Sequence, residues 1–140
     1  MTFLIDTGAF YALADDSDRN AVAARAFYRK RLETDDFTTT NAVVLESWTL
    51  IRNKLGWPAA DRFLENLRKS SIALLYMEPA DLELAGKILE TYADQELSLT
   101  DAVSFSLMDR HSITQAFTFD KDFLLYRFGP GNRRSFTRWP

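Results

Sequence analysis

A chain of 140 residues, 46% hydrophobic and 26% charged, has the size and composition of one compact unit, and residues 1–140 are expected to form a single domain. The absence of cysteine excludes disulfides, thiolate nucleophiles and cysteine zinc sites, and one histidine, His111, excludes a two-histidine metal centre within one chain. A net charge of -3 argues against a general nucleic-acid coat, but not against an enzyme whose acids meet phosphate through a cation.

Met1-Thr2-Phe3 offers no basic leader, and the apolar run after it is too short for a signal peptide or a membrane span, so a soluble cytoplasmic protein is expected. The run Phe3-Leu4-Ile5 stops abruptly at Asp6-Thr7-Gly8, as a buried parallel strand would when it delivers an acid to the mouth of a sheet; Gly8 would let the chain turn tightly there. An apolar helical run at 9–14 and an amphipathic helix with a basic face at 19–32 follow. Phe37-Thr38-Thr39-Thr40 reads as a second strand, with Thr40 or Asn41 capping the next helix. In that helix Glu46 falls on the stripe of Val43 and Leu50, which predicts a carboxylate among apolar neighbours. Gly56 ends the helix and Pro58 begins another.

Ile72-Ala73-Leu74-Leu75-Tyr76 reads as a third buried strand and 78–92 as a helix. A further helix opens near Ser98, where Ser98 and Asp101 have the spacing of a capping box. Ala116-Phe117-Thr118-Phe119 is a fourth strand, ending on Asp120 as the first ended on Asp6. The tail 133–139 is basic and aromatic, with room for a short edge strand. Strands this apolar, alternating with helices, predict an α/β fold of three layers, α/β/α, around a mainly parallel sheet of four to five strands. In such sheets ligands sit at the carboxyl ends of the strands, where Asp6 and Asp120 both lie.

Each acid has a plain structural account: turns for Asp6 and Asp120, the cap for Asp101, an ion pair for Glu46. Together they are harder to explain, because carboxylates ~6 Å apart repel by about 3 kcal/mol at an effective dielectric of ~20. A set of carboxylates is what Mg²⁺ or Mn²⁺ prefers, and such an ion can activate water against a phosphodiester. Ile5-Asp6-Thr7, Thr39-Thr40-Asn41-Ala42-Val43-Val44-Leu45-Glu46, Leu99-Thr100-Asp101-Ala102 and Phe117-Thr118-Phe119-Asp120-Lys121-Asp122-Phe123 resemble, in order, the motifs of PIN-domain nucleases, in particular the VapC-type ribonuclease toxins of toxin-antitoxin systems. The resemblance implies metal-dependent cleavage of RNA, with Mg²⁺ or Mn²⁺ as cofactor, a homodimer, and inhibition by a cognate antitoxin. It matches Asp6, Glu46, Asp101 and Asp120 to the acidic quartet and Thr7 and Thr118 to supporting polar positions.

Asp122, two residues past Asp120, is a second candidate for the fourth acid, and Asn41 a further polar neighbour. Arg133, Arg134 and Arg138, with Phe136 and Trp139, are candidates to track an RNA backbone and stack its bases; solvated arginines on an edge strand are the plainer account. His111 is expected to cap a helix or lie on the surface. Other functions open to this sequence are a PIN-type nuclease of RNA maturation or DNA processing and an inactive RNA- or protein-binding scaffold. Phosphoryl transfer on Asp6 is disfavoured, because no second acid stands two residues on.

Overall fold

Phe3, Leu4 and Ile5 are fully buried, and the strand they form, β1 (Thr2–Ile5), is the middle of the sheet. The computed structural model describes residues 1–140. After β1 come α1 (Thr7–Ala14), α2 (Ala21–Arg31), β2 (Asp36–Thr40), α3 (Asn41–Leu55), α4 (Trp57–Lys69) and β3 (Ala73–Leu75). Then follow α5 (Pro79–Thr91), α6 (Leu99–Arg110), β4 (Gln115–Phe117) and β5 (Thr137–Trp139), with short 3₁₀ turns at Lys121–Leu124 and Pro130–Asn132. All five strands are parallel, in the order β3-β2-β1-β4-β5. No helix is long and apolar enough to cross a membrane.

Strand alternation divides the core in two. Phe3, Ile5 and Phe117 pack with Phe10, Phe27 and Phe63 under α1, α2 and α4, while Leu4 and Ala116 pack with Phe105, Phe123, Tyr126 and Phe136 under α6 and the C-terminal segment. Three hydroxyls fix β2 against its neighbours: Thr38 donates to the Ala73 carbonyl and Thr39 to the Ile5 carbonyl, each at 2.9 Å, and Thr40 caps α3 by accepting from the Val43 N–H at 3.0 Å. Strand order reverses between β1 and β4, and a crevice opens at their carboxyl ends for that reason.

Two expectations are corrected. β3 is the edge of the sheet, not a buried strand, and Leu74 is 38% exposed there. Gly8 lies inside α1 with ordinary backbone angles, so the turn at Asp6 does not depend on it. The turn that does need a glycine is Gly56, at φ 94° between α3 and α4.

Candidate metal centre

Asp6 follows β1 directly and precedes the first turn of α1, so both its neighbours are held by regular structure. Asp101 sits at the third position of α6, and Asp120 stands between β4 and the turn Lys121–Leu124. One carboxylate oxygen from each of the three lies within 4.8 Å of the others. Adjacent ligands of an octahedral ion coordinated at ~2.1 Å stand about 3.0 Å apart and opposite ones about 4.2 Å, so side-chain rotations of roughly an ångström or two would close these oxygens around Mg²⁺ or Mn²⁺.

Asp101 meets two demands at once. Its Oδ2 accepts from the Ser98 N–H at 3.2 Å while its own N–H donates to the Ser98 hydroxyl at 3.0 Å, the reciprocal capping box, and the other oxygen is left for the crevice. Thr118 ties the remaining two acids together. Its hydroxyl donates to Asp6 Oδ2 at 2.9 Å and accepts from the Asp120 N–H at 3.0 Å, and Asp120 Oδ1 in turn accepts from the Asp122 N–H at 2.9 Å.

No lysine, arginine or histidine forms an ion pair with any of these acids. Burial, followed by repulsion from Asp101, pushes Asp6 up to about 7, against the pull of the Thr7 backbone and the Thr118 hydroxyl. Burial likewise pushes Asp101 up to about 6, with repulsion from Asp120 and Glu46 adding to it. Thr7 adds a second sign of a missing partner: its hydroxyl, at the first position of α1 beside Asp6, is buried and makes no hydrogen bond. Oxygen donors, uncompensated negative charge and an orphaned hydroxyl together fit a hard divalent cation.

Glu46 is exposed rather than embedded, and it does not belong to the group of three. The face of α3 turned to the core is Val43, Ser47 and Ile51, and a buried serine in the middle hides that stripe from a hydropathy reading. Glu46 instead lines an open groove with Leu45, Thr49, Asn53 and Thr100, close enough to Asp101 to act on its charge. Asp122 also lies outside the group, although burial and the neighbouring Asp120 raise it. Asn41 accepts from the Met77 N–H at 3.0 Å and fastens α3 to the end of β3. His111 is the exposed C-cap of α6.

Arg133 and Arg134 are not brought to the acids. β5 runs parallel to β4, so the chain must return to the amino ends of the strands before it begins, and both arginines lie on that return. Their stems fold over the loop glycines: a side chain at Gly129 would meet Arg134 Cδ at 2.9 Å.

The model of the PIN domain matches residues 3–129. The chain belongs to the PIN-domain family. Over 120 residues, 85% of this chain and 89% of the relative, it is 31% identical to the 23S rRNA-specific endonuclease VapC20 of Mycobacterium tuberculosis. The crystal structure of VapC20, described as a sarcin-ricin loop cleaving toxin, superposes with a TM-score of 0.80 and 25% identity, covering 86% of this chain and 91% of that one. VapBC2 of Rickettsia felis, solved with a promoter DNA fragment, superposes with a TM-score of 0.71 at 10% identity over the full length of both chains, a likeness of fold. The five-stranded sheet with six helices is thus the PIN architecture of VapC structures, and Asp6, Asp101 and Asp120 stand within the matched segment.

Proposed function

We propose that this PIN-domain protein is a metal-dependent endoribonuclease of the VapC type, the toxin of a toxin-antitoxin pair, acting in the cytoplasm as a homodimer and restrained by a cognate antitoxin. The observation that carries the reading is the group of three unpaired carboxylates, two of them buried, at the β1/β4 crevice. A Mg²⁺ or Mn²⁺ ion bound there would supply water activation and charge stabilisation at a phosphodiester. Asp6, Asp101 and Asp120 would hold that ion, with Glu46 on the rim as a fourth acid. Thr118 orients Asp6 and anchors the backbone of Asp120, and the Thr7 hydroxyl has a donor free for a water or a phosphate oxygen.

The test is cleavage by the pure protein of structured RNA, a 23S rRNA fragment first, beside single-stranded RNA and DNA. RNA cleavage in Mg²⁺ or Mn²⁺ is expected to vanish in EDTA and to fall at least a hundredfold in Asp6→Asn, as for a site that works by electrostatic stabilisation. Activity unchanged by both would overturn the reading. Preference for DNA would point to a nuclease of DNA processing, and tight RNA binding without turnover to a scaffold.

A further inference from the structure

The charge of this chain is unevenly distributed. The segment 121–140 carries five cations and a single carboxylate, Asp122, whereas the rest of the chain has an excess of acid. None of Lys121, Arg127, Arg133, Arg134 and Arg138 forms an ion pair, in contrast with Arg25, Arg31, Arg68 and Arg110 elsewhere. Two of the five adjoin the acids. Lys121 follows Asp120 in the chain and is exposed. Arg138 Nη1 donates to the carbonyl of Phe119 at 3.3 Å, which brings the guanidinium to the backbone one residue before Asp120. That bond uses one of the five guanidinium donors and leaves the rest to solvent. The groove on the α3 side of Asp101, lined by Ala42, Leu45, Glu46, Thr49, Leu50, Asn53 and Thr100, carries an acid and no cation.

We infer that Arg138 and Lys121 are phosphate-positioning residues, and that an RNA strand whose scissile phosphate faces Asp6, Asp101 and Asp120 continues over the turn Lys121–Leu124 and the end of β5. The inference rests on the nuclease reading for the nature of the strand. A polyanion held over an acidic centre needs cations on its flanking phosphates; Arg138 and Lys121 supply them on the β5 side, whereas the groove on the α3 side carries none. Arg138 serves as a fixed fork because its stem is held in β5 and its guanidinium on Phe119; Lys121 serves as a mobile point charge. Arg133 and Arg134, at the other end of the strands, have no part in it.

The experiment measures steady-state cleavage in Mg²⁺ and, in EDTA, fluorescence anisotropy of a labelled 12-nucleotide single-stranded RNA between 25 and 200 mM salt. Arg138→Gln and Lys121→Gln are each expected to raise KM about fivefold with kcat within twofold. Each should also lower the slope of log affinity against log salt by about 0.7. The pair Arg133→Gln with Arg134→Gln should leave KM within twofold. Unchanged KM and slope in both single variants, or a rise confined to the Arg133/Arg134 pair, would overturn the path and leave the nuclease standing. If the wild-type chain cleaves no RNA, the nuclease reading falls and anisotropy decides the surface. Weaker binding in the two variants then upholds it, and absence of binding by the wild type overturns it. Should Arg138→Gln fail to fold, Lys121→Gln, an exposed change that breaks no hydrogen bond, carries the same test.

Discussion

Asp6 and Asp81 are buried to nearly the same degree, at 4% and 2% exposure, yet their carboxyl groups are displaced in opposite directions. At Asp81, burial pushes the group up, but its partners outweigh it and hold it below the usual carboxylate range. Arg110 reaches it from α6 with Nε at 3.2 Å and Nη2 at 2.6 Å, Ser106 donates at 2.9 Å, and the Glu78 N–H donates at 2.8 Å. Asp6 has only the Thr7 backbone and the Thr118 hydroxyl to hold it down, no cation, and two acids for neighbours, so burial prevails and the group rises to about 7. A buried acid that fastens two helices brings its own cation, whereas the acids of the crevice receive none from the chain.

The largest effect that would break this contrast is the dependence of stability on pH in EDTA. A carboxyl near 4 in the unfolded chain and raised to about 7 in the folded one leaves stability intact below pH 4. Stability is then lost as pH rises toward 7, by roughly 4 kcal/mol at about 1.4 kcal/mol per pKa unit. Chemical denaturation from pH 4 to 8 is expected to show this fall, with Asp101 adding to it up to about pH 6. Asp6→Asn should remove most of it, and excess Mg²⁺ should restore stability to the wild type alone. An equal slope in Asp6→Asn would show that Asp6 is not the strained group.

Next in size is the Asp81 clip. Arg110→Ala leaves a buried carboxylate with no cation, and because Arg110 is itself partly exposed the expected loss is about 2 kcal/mol, below the 3–5 typical of a fully buried pair. The sign of its pH dependence is opposite to that at Asp6: the contribution is present above the unfolded value near 4 and lost as pH falls below it. Urea unfolding at pH 7 and pH 3 measures both, and a loss under about 0.5 kcal/mol at pH 7 would dissolve the comparison. The folded fraction of the variant should cleave as the wild type does.

The two regions also differ in how far the sequence discloses them. Asp6 and Asp120 were legible because a buried strand that stops on an acid breaks its own hydropathy pattern, and Asp101 because the capping box has a fixed spacing. The ion pair of Asp81 with Arg110 was not, since partners 29 residues apart on two helices leave no local pattern. The exposure of Glu46 is hidden from the hydropathy pattern because Ser47 occupies a core position of α3. The run 72–76 reads as buried because hydropathy does not tell where a sheet ends, and Leu74 stays apolar on an edge. Arg133 and Arg134 are close to Asp120 in sequence only, because a parallel β5 forces the chain back to the far end of the sheet first.

The smallest expected effect is at Thr118, where the contrast can be sharpened without changing any charge. Thr118→Val keeps the shape of the side chain but removes the donor to Asp6 and the acceptor of the Asp120 N–H, each worth about 1 kcal/mol. The hydroxyl is one of the few groups lowering Asp6, so its loss should drive that carboxyl further up and make it harder to ionise for a cation. RNA cleavage at pH 7 is expected to fall about tenfold, consistent with a loss of ~1.4 kcal/mol. The deficit should shrink at pH 8.5, where Asp6 ionises without help, and Thr118→Ser should recover most of the activity. A deficit of equal size at both pH values would mean that Thr118 acts on the placement of Asp120 alone, and the orientation of Asp6 would then rest on the strand β1 that carries it.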